Sequence, residues 1–210
     1  MTPTAPDTDE LLRRSQAGDR HARGALLQRH RHRLKHMVAL RLDRRLAARL
    51  DPSDIVQEVL AEADRRLDDY LRQRPLAFYP WLRQLAWDRL ADAHRRHVRA
   101  RRRSVTREDA EPLGLPGGSA GRLADRLLAS GVCPSEAFRR EELRERVRSA
   151  LGALAEADRE VLVLRYLEQL SAQEVGAVLG VSEAAAKKRA LRALQKLRAL
   201  LEGGTREGGR

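Results

Sequence analysis

Apolar residues recur at three- and four-residue spacing along most of this chain, and no segment alternates as a half-buried strand would, so an all-α fold is predicted. Leu11, Leu12, Leu26, Leu27 and Leu34 mark one or two helices from Asp9 to about His36, broken by a turn at Ala17, Gly18 and Asp19, and a further helix follows through Leu50. Asp51 before Pro52 reads as an N-cap followed by a first-turn proline, and Ile55, Val56, Val59, Leu60 and Ala63 form the buried stripe behind it. That helix is expected to reach Leu71 before Pro75. After a connection RQRPLAFYP, Pro80 opens a long helix to about Arg102, with Trp81, Leu82 and Leu85 turned to the core.

The composition then shifts. Residues 104–134 hold most of the mid-chain Gly and Pro and read as a flexible linker, with one short helix at Arg122 to Ala129. Helical spacing resumes from 135 to 203, and 204–210 form a Gly-rich, charged tail expected to be disordered. The expected architecture is two small helical bundles, 1–103 and 135–203, joined by that linker.

In the second bundle, two helix starts lie close together. Ser171 and Glu174 have capping-box spacing, Gly180 supplies a tight turn, and Ser182 caps the next helix. This is a helix-turn-helix signature. Ala186, Ala190, Leu194 and Leu197 fall on the inner side of the second helix and Lys187, Lys188, Arg192 and Lys196 on outer faces, a layout suited to a major groove.

Charge agrees with a polyanionic partner. The 42 Lys and Arg against 30 Asp and Glu give a formal +12 and a pI near 11.0. No run approaches the length of a membrane-spanning helix and the first residues form no leader, so a cytoplasmic protein without membrane attachment is expected. The lone Cys133 makes neither a disulfide nor a thiolate metal site. His30, His32 and His36 sit among arginines that repel a cation, so neither a metal nor a cofactor is expected. No phosphate loop or nucleophile arrangement is evident, and enzymatic activity is not expected.

The stretch LGALAEADREVLVLRYLEQLSAQEVGAVLGVSEAAAKKRALRALQKLRALL resembles the C-terminal promoter-binding region of RNA polymerase sigma factors of the sigma-70 family, extracytoplasmic-function (ECF) type. Arg159, Glu160, Arg165, Tyr166, Leu170, Gly180, Ser182, Glu183, Lys187 and Arg189 carry the likeness; Ala184 to Ala186 depart from the usual Gly-Thr-Val, and Gly176 stands where Ala is usual. By helix propensity Gly176 should loosen its helix by up to about 1 kcal/mol. DPSDIVQEVLAEA resembles the segment by which these factors dock on polymerase, and PWLRQLAWDRLADAHRRHVRARRR the segment that opens and reads the minus-ten element.

The resemblance implies a sigma factor that directs core RNA polymerase to promoters and assists their opening. Core docking would fall to Asp54, Gln57 and Glu58. The minus-ten strand would meet Phe78, Tyr79, Trp87, Asp88, Arg95, Arg96 and Arg99, with the aromatic rings stacking on unpaired bases and the arginines on phosphate. Asp88 replaces the usual Asn, and an ionised Asp only accepts hydrogen bonds. The duplex minus-thirty-five element would meet Ser182, Glu183, Ala185, Lys187, Lys188, Arg189 and Arg192. Partners implied are core polymerase, promoter DNA in duplex and melted form, and an anti-sigma factor. The alternatives are a stand-alone helix-turn-helix regulator binding duplex DNA as a dimer, and a helical adaptor for acidic proteins.

Overall fold

The computed structural model describes residues 7–42, 50–102, 117–129 and 140–203, and of 97–102, 117–118, 140–141 and 203 the backbone alone. Apart from caps, turns and short connections these residues are helical, and the chain divides into two compact units, Met1–Gly114 and Leu115–Arg210.

The first unit contains α1 (Thr8–Gln16), α2 (Arg20–Arg41), α3 (Pro52–Gln73) and α4 (Phe78–Arg102). Gly18 at φ 87° makes the turn between α1 and α2, and Asp19 then caps α2, its carboxylate accepting the Ala22 N–H at 3.0 Å. Asp51 caps α3 through the Ser53 N–H at 2.6 Å, with Pro52 in the first turn as the sequence predicts. α3 ends on Arg74 at φ 41°, one residue before Pro75. α2 runs on past His36 because Met37, Val38 and Leu40 continue its buried stripe. Leu26, Leu34, Val56, Val59, Leu67 and Leu82 close the core between α2, α3 and α4. Arg23 of α2 ties onto α3 at Asp64, 2.6 Å, and Asp68, 2.9 Å.

α4 begins at Phe78, two residues before the proline expected to open it. Pro80 sits inside the first turn, where an N–H has no intrahelical partner to lose. Phe78 and Tyr79 are therefore on the helix rather than in a loop, and each is only 3% exposed. They join a ring cluster in which Tyr70 stacks on Trp81 at 4.4 Å between centroids, with His30 5.3 Å from Phe78. His30 also meets the Thr8 hydroxyl at 3.2 Å, so it is a core residue. No group of His, Cys, Asp or Glu among the described residues is arranged to hold a metal.

The same cluster sets an alkaline limit on stability. Burial pushes the Tyr70 phenol up to about 12 from its ordinary 10.0, and the hydroxyl donates to the Leu76 carbonyl at 2.9 Å. A raised folded pKa keeps its stabilisation fully below pH 10 and loses it as pH rises toward 12, by roughly 2–3 kcal/mol. Both tryptophans, Trp81 and Trp87, lie in this unit, so their emission reports on it alone. Urea midpoints followed by that emission should fall between pH 10 and 12, and Tyr70→Phe should flatten the fall.

The second unit contains α5 (Gly117–Ala129), α6 (Arg140–Ala153), α7 (Glu156–Leu162), a π-helical turn (Val163–Leu167), α8 (Ala172–Leu179) and α9 (Glu183–Gly203). α5 lies inside the stretch expected to be a linker and is longer than the short helix anticipated there. It packs on α6 and the π-helical turn with Leu123, Ala124 and Leu127 buried, and Arg144 of α6 reaches its Asp125 at 3.0 Å. Glycines obscure the periodicity of this segment, whereas Leu123, Ala124 and Leu127 supply the packing that low propensity lacks. The remainder of the expected linker, 104–116 and 130–134, and the tail 204–210 lie outside the described residues.

Candidate nucleic-acid interface

α3 presents Asp54, Gln57 and Glu58 together on an exposed arc, because Ile55, Val56 and Val59 turn the opposite side into the core. Glu58 lies 3.7 Å from Arg89 of α4, which also reaches Glu62 at 3.1 Å. Arg89 is thereby neutralised within the chain, leaving Arg95 and Arg96 as the exposed cations on the described part of α4. Arg95 pairs with Asp92, and Arg96 Nε donates to the Asp92 carbonyl at 3.4 Å. The Arg99 side chain lies outside the described residues.

Of the aromatics expected to meet unpaired bases, Phe78 and Tyr79 are buried and Trp87 alone keeps part of its surface exposed. Phe78 and Tyr79 offer no open face: their rings are filled by His30, Tyr70, Trp81 and the Arg33 guanidinium, which sits 3.7 Å from the Tyr79 centroid. Both are core residues rather than base-stacking ones. Trp87 is half-buried and borders the exposed Asp88. Arg41 and Arg83, 4% and 5% exposed, place their guanidinium carbons 5.3 and 5.6 Å from the Trp87 centroid, within cation–π range. Sequence reasoning missed both. Arg83 was findable, four residues before Trp87 on one helix face; Arg41 comes from a distant helix and left no local signal.

In the second unit the helix-turn-helix is built as its caps require. The Glu174 N–H donates to Ser171 Oγ at 3.1 Å, and the Ser171 N–H to Glu174 Oε2 at 2.8 Å. Gly180 takes φ 65°, a left-handed cap that a side chain would strain. Ser182 Oγ then accepts the Ala185 N–H at 3.2 Å, starting α9. Ala186, Ala190, Ala193 and Leu197 are buried, and the small residues let α9 lie close on its neighbours. Leu194 is half-buried.

Ser182, Glu183, Ala185, Lys187, Lys188, Arg189 and Arg192 are all exposed on the N-terminal half of this helix or its cap. Lys187 pairs with Glu183 at 2.6 Å, and Lys196 is drawn back onto Asp158 of α7 at 2.5 Å. No carboxylate among the described residues pairs with Lys188, Arg189 or Arg192. Leu191, 56% exposed between them, is an apolar side chain on the same presenting face that the sequence reading did not single out.

The family model described as Sigma-70, region 4 matches residues 150–199, which span the end of α6 through most of α9. The RNA polymerase sigma factor CnrH of Cupriavidus metallidurans is 33% identical over 204 residues, covering 93% of this chain and 95% of its own. The ECF RNA polymerase sigma-E factor of Escherichia coli K12 is 27% identical over 191 residues, covering 90% and 92%. The chain belongs to the ECF type of sigma-70 family RNA polymerase sigma factors. A solved structure of CnrH in complex with the cytosolic domain of CnrY matches this sigma factor with a TM-score of 0.50 and 28% identity, covering 94% of this chain and 99% of that one.

Membership of this family makes core RNA polymerase and promoter DNA the partners of this sigma factor. No helix among the described residues is long and apolar enough to cross a membrane.

Proposed function

We propose that the two units divide the work of promoter engagement. The first, 1–103, docks on core polymerase through Asp54, Gln57 and Glu58 and holds the melted minus-ten strand along α4, with Trp87 as the stacking surface and Asp88, Arg95, Arg96 and Arg99 beside it. The second, whose helix-turn-helix lies within 135–203 and which α5 joins by packing, places the N-terminal half of α9 in the duplex minus-thirty-five element, with 104–116 leading into it from the first unit and 204–210 as tail. Lys187, Lys188, Arg189 and Arg192 meet phosphate or guanine edges there, and Ser182, Glu183 and Ala185 border the groove. Nucleotide chemistry belongs to the polymerase, so this chain is not an enzyme, and it works in the cytoplasm.

The observation that carries this reading is the row of uncompensated cations, Lys188, Arg189 and Arg192, on the exposed side of a correctly capped helix-turn-helix. A helix so charged is matched to a polyanion and poorly matched to an ordinary protein surface. On α3 the reverse holds: Asp54 and Glu58 fit a basic partner surface. CnrH is seen with the cytosolic domain of CnrY, which supports adding a regulatory protein, an anti-sigma factor, to the partners of this chain.

Lys188→Ala and Arg192→Ala test the duplex side. Each should weaken holoenzyme binding to a promoter carrying the upstream hexamer and lower the slope of log K against log salt by about 0.9, the loss of one phosphate contact. Core affinity measured without DNA should stay unchanged for both and fall for Asp54→Asn. Unaltered salt slopes in both α9 variants would remove these side chains from the interface.

A further inference from the structure

α2 is charged in an unusual way. Its 22 residues include seven Lys or Arg and four His and no Asp or Glu. Leu26, Leu34, Met37 and Val38 turn one side into the core, which leaves Arg29, His32 and Lys35 exposed on the other. Steps of three residues rise about 4.5 Å each, so these groups form a line along roughly 9 Å of helix.

Several other surface cations of the first unit are held by the chain's own carboxylates, Arg14 by Asp19, Arg23 by Asp64 and Asp68, Arg72 by Asp69 and Arg89 by Glu62, whereas Arg20, Arg65, Arg74 and Arg96 have no carboxylate among the described residues. No carboxylate among the described residues pairs with Arg29, Arg31, His32 or Lys35. Lys35 is felt only at a distance, as a minor influence on the Asp51 carboxyl, which the Ser53 N–H and hydroxyl hold below its ordinary range. Like charges stacked along one helix face repel and weaken the helix unless something outside neutralises them.

We propose that the outer face of α2, centred on Arg29, His32 and Lys35, is a second DNA-binding surface that grips the sugar–phosphate backbone of promoter DNA beside the strand held by α4. Three observations select DNA. The stripe is spaced along a line, as backbone phosphates are, and Arg29, His32 and Lys35 can each offer a phosphate an N–H donor. α2 packs alongside α4, with Arg33 against the Tyr79 ring and Arg41 against the Trp87 ring, so its cations share a helix pair with the stacking surface. The face that docks on polymerase carries Asp54 and Glu58, so the protein partner of this unit is matched by acids, and a basic stripe is matched by something else. The inference rests on α4 as the strand-holding helix.

The test uses the full chain in holoenzyme. For Arg29→Gln/Lys35→Gln, promoter binding is measured across a salt series, with core affinity measured separately without DNA. Loss of two phosphate contacts should lower the slope of log K against log salt by roughly 1.4–1.8, with core affinity and the urea midpoint from tryptophan emission unchanged. An unchanged slope overturns the proposal, and so does reduced core affinity, which would assign the stripe to a protein partner instead. Arg95→Gln/Arg96→Gln in the same titration separates the two readings. If that pair alters the slope and the α2 pair does not, the α2 proposal alone fails; if neither does, the strand-holding assignment of α4 fails with it.

Discussion

Phe78→Ala should lower the stability of the first unit by about 3–5 kcal/mol, the cost of removing a buried ring and leaving its cavity. The ring is 3% exposed and meets His30, Tyr70 and Trp81 at centroid separations of 5.3, 5.4 and 5.6 Å. The cavity would open where α2, α3 and the first turn of α4 converge, and all three are long helices whose packing elsewhere resists collapse. Urea unfolding followed by tryptophan emission measures the loss. Trp87→Ala supplies the contrast. Its ring is half-buried, so stability should change far less, while loss of base stacking worth about 1–3 kcal/mol should reduce the opened promoter population by about 5- to 150-fold. A fluorescent base analogue in the minus-ten strand reads that population in holoenzyme. Should Phe78→Ala leave the urea midpoint in place and instead abolish opening, the core assignment of this ring is wrong.

Gly176→Ala should damage the second unit although alanine is the better helix former. Propensity favours the substitution by up to about 1 kcal/mol. Against it, a Cβ at this position would lie 2.7 Å from the Val181 carbonyl oxygen and 3.3 Å from both Glu183 N and Ser182 C. All three are backbone atoms of the link between α8 and α9, so no side chain can swing aside, and the Val181 N–H is already bound to the Gly176 carbonyl at 2.9 Å. Overpacking of this kind costs about 1–3 kcal/mol, and part of it will be relieved by pushing the start of α9 outward. The net loss should be about 1–2 kcal/mol, with a tenfold or greater loss of minus-thirty-five binding as the presenting half of α9 shifts. Amide exchange across α8 and α9 should quicken while tryptophan emission from the first unit reports an unchanged midpoint. A variant that is more stable and binds the upstream hexamer normally would show that the link has slack.

That glycine also marks where local reasoning stopped. The departure from the usual Ala was visible in the sequence, and so was its helix-propensity cost, but the reason for it was five to seven residues away on the far side of a turn. In this chain the glycine is what allows α9 to begin so close to α8.

The sequence by itself determined most of the helices and several of their ends: Asp51, Ser171, Gly180 and Ser182 act where they were read, because a cap or a left-handed turn involves groups within about four residues of each other. It also placed Asp54, Gln57 and Glu58 on one arc and Lys188 and Arg192 on another, since the 3.6-residue repeat that hides one face exposes the opposite one. Only the tertiary structure decided what each exposed or aromatic group meets. It turned Phe78 and Tyr79 inward, bound Arg89 to Glu62 and Lys196 to Asp158, brought Arg41 to Trp87, and left Arg29 and Lys35 without carboxylates among the described residues. Those outcomes depend on side chains tens of residues apart, and the energy that selects them comes from burying surface between helices rather than from anything within one turn of helix.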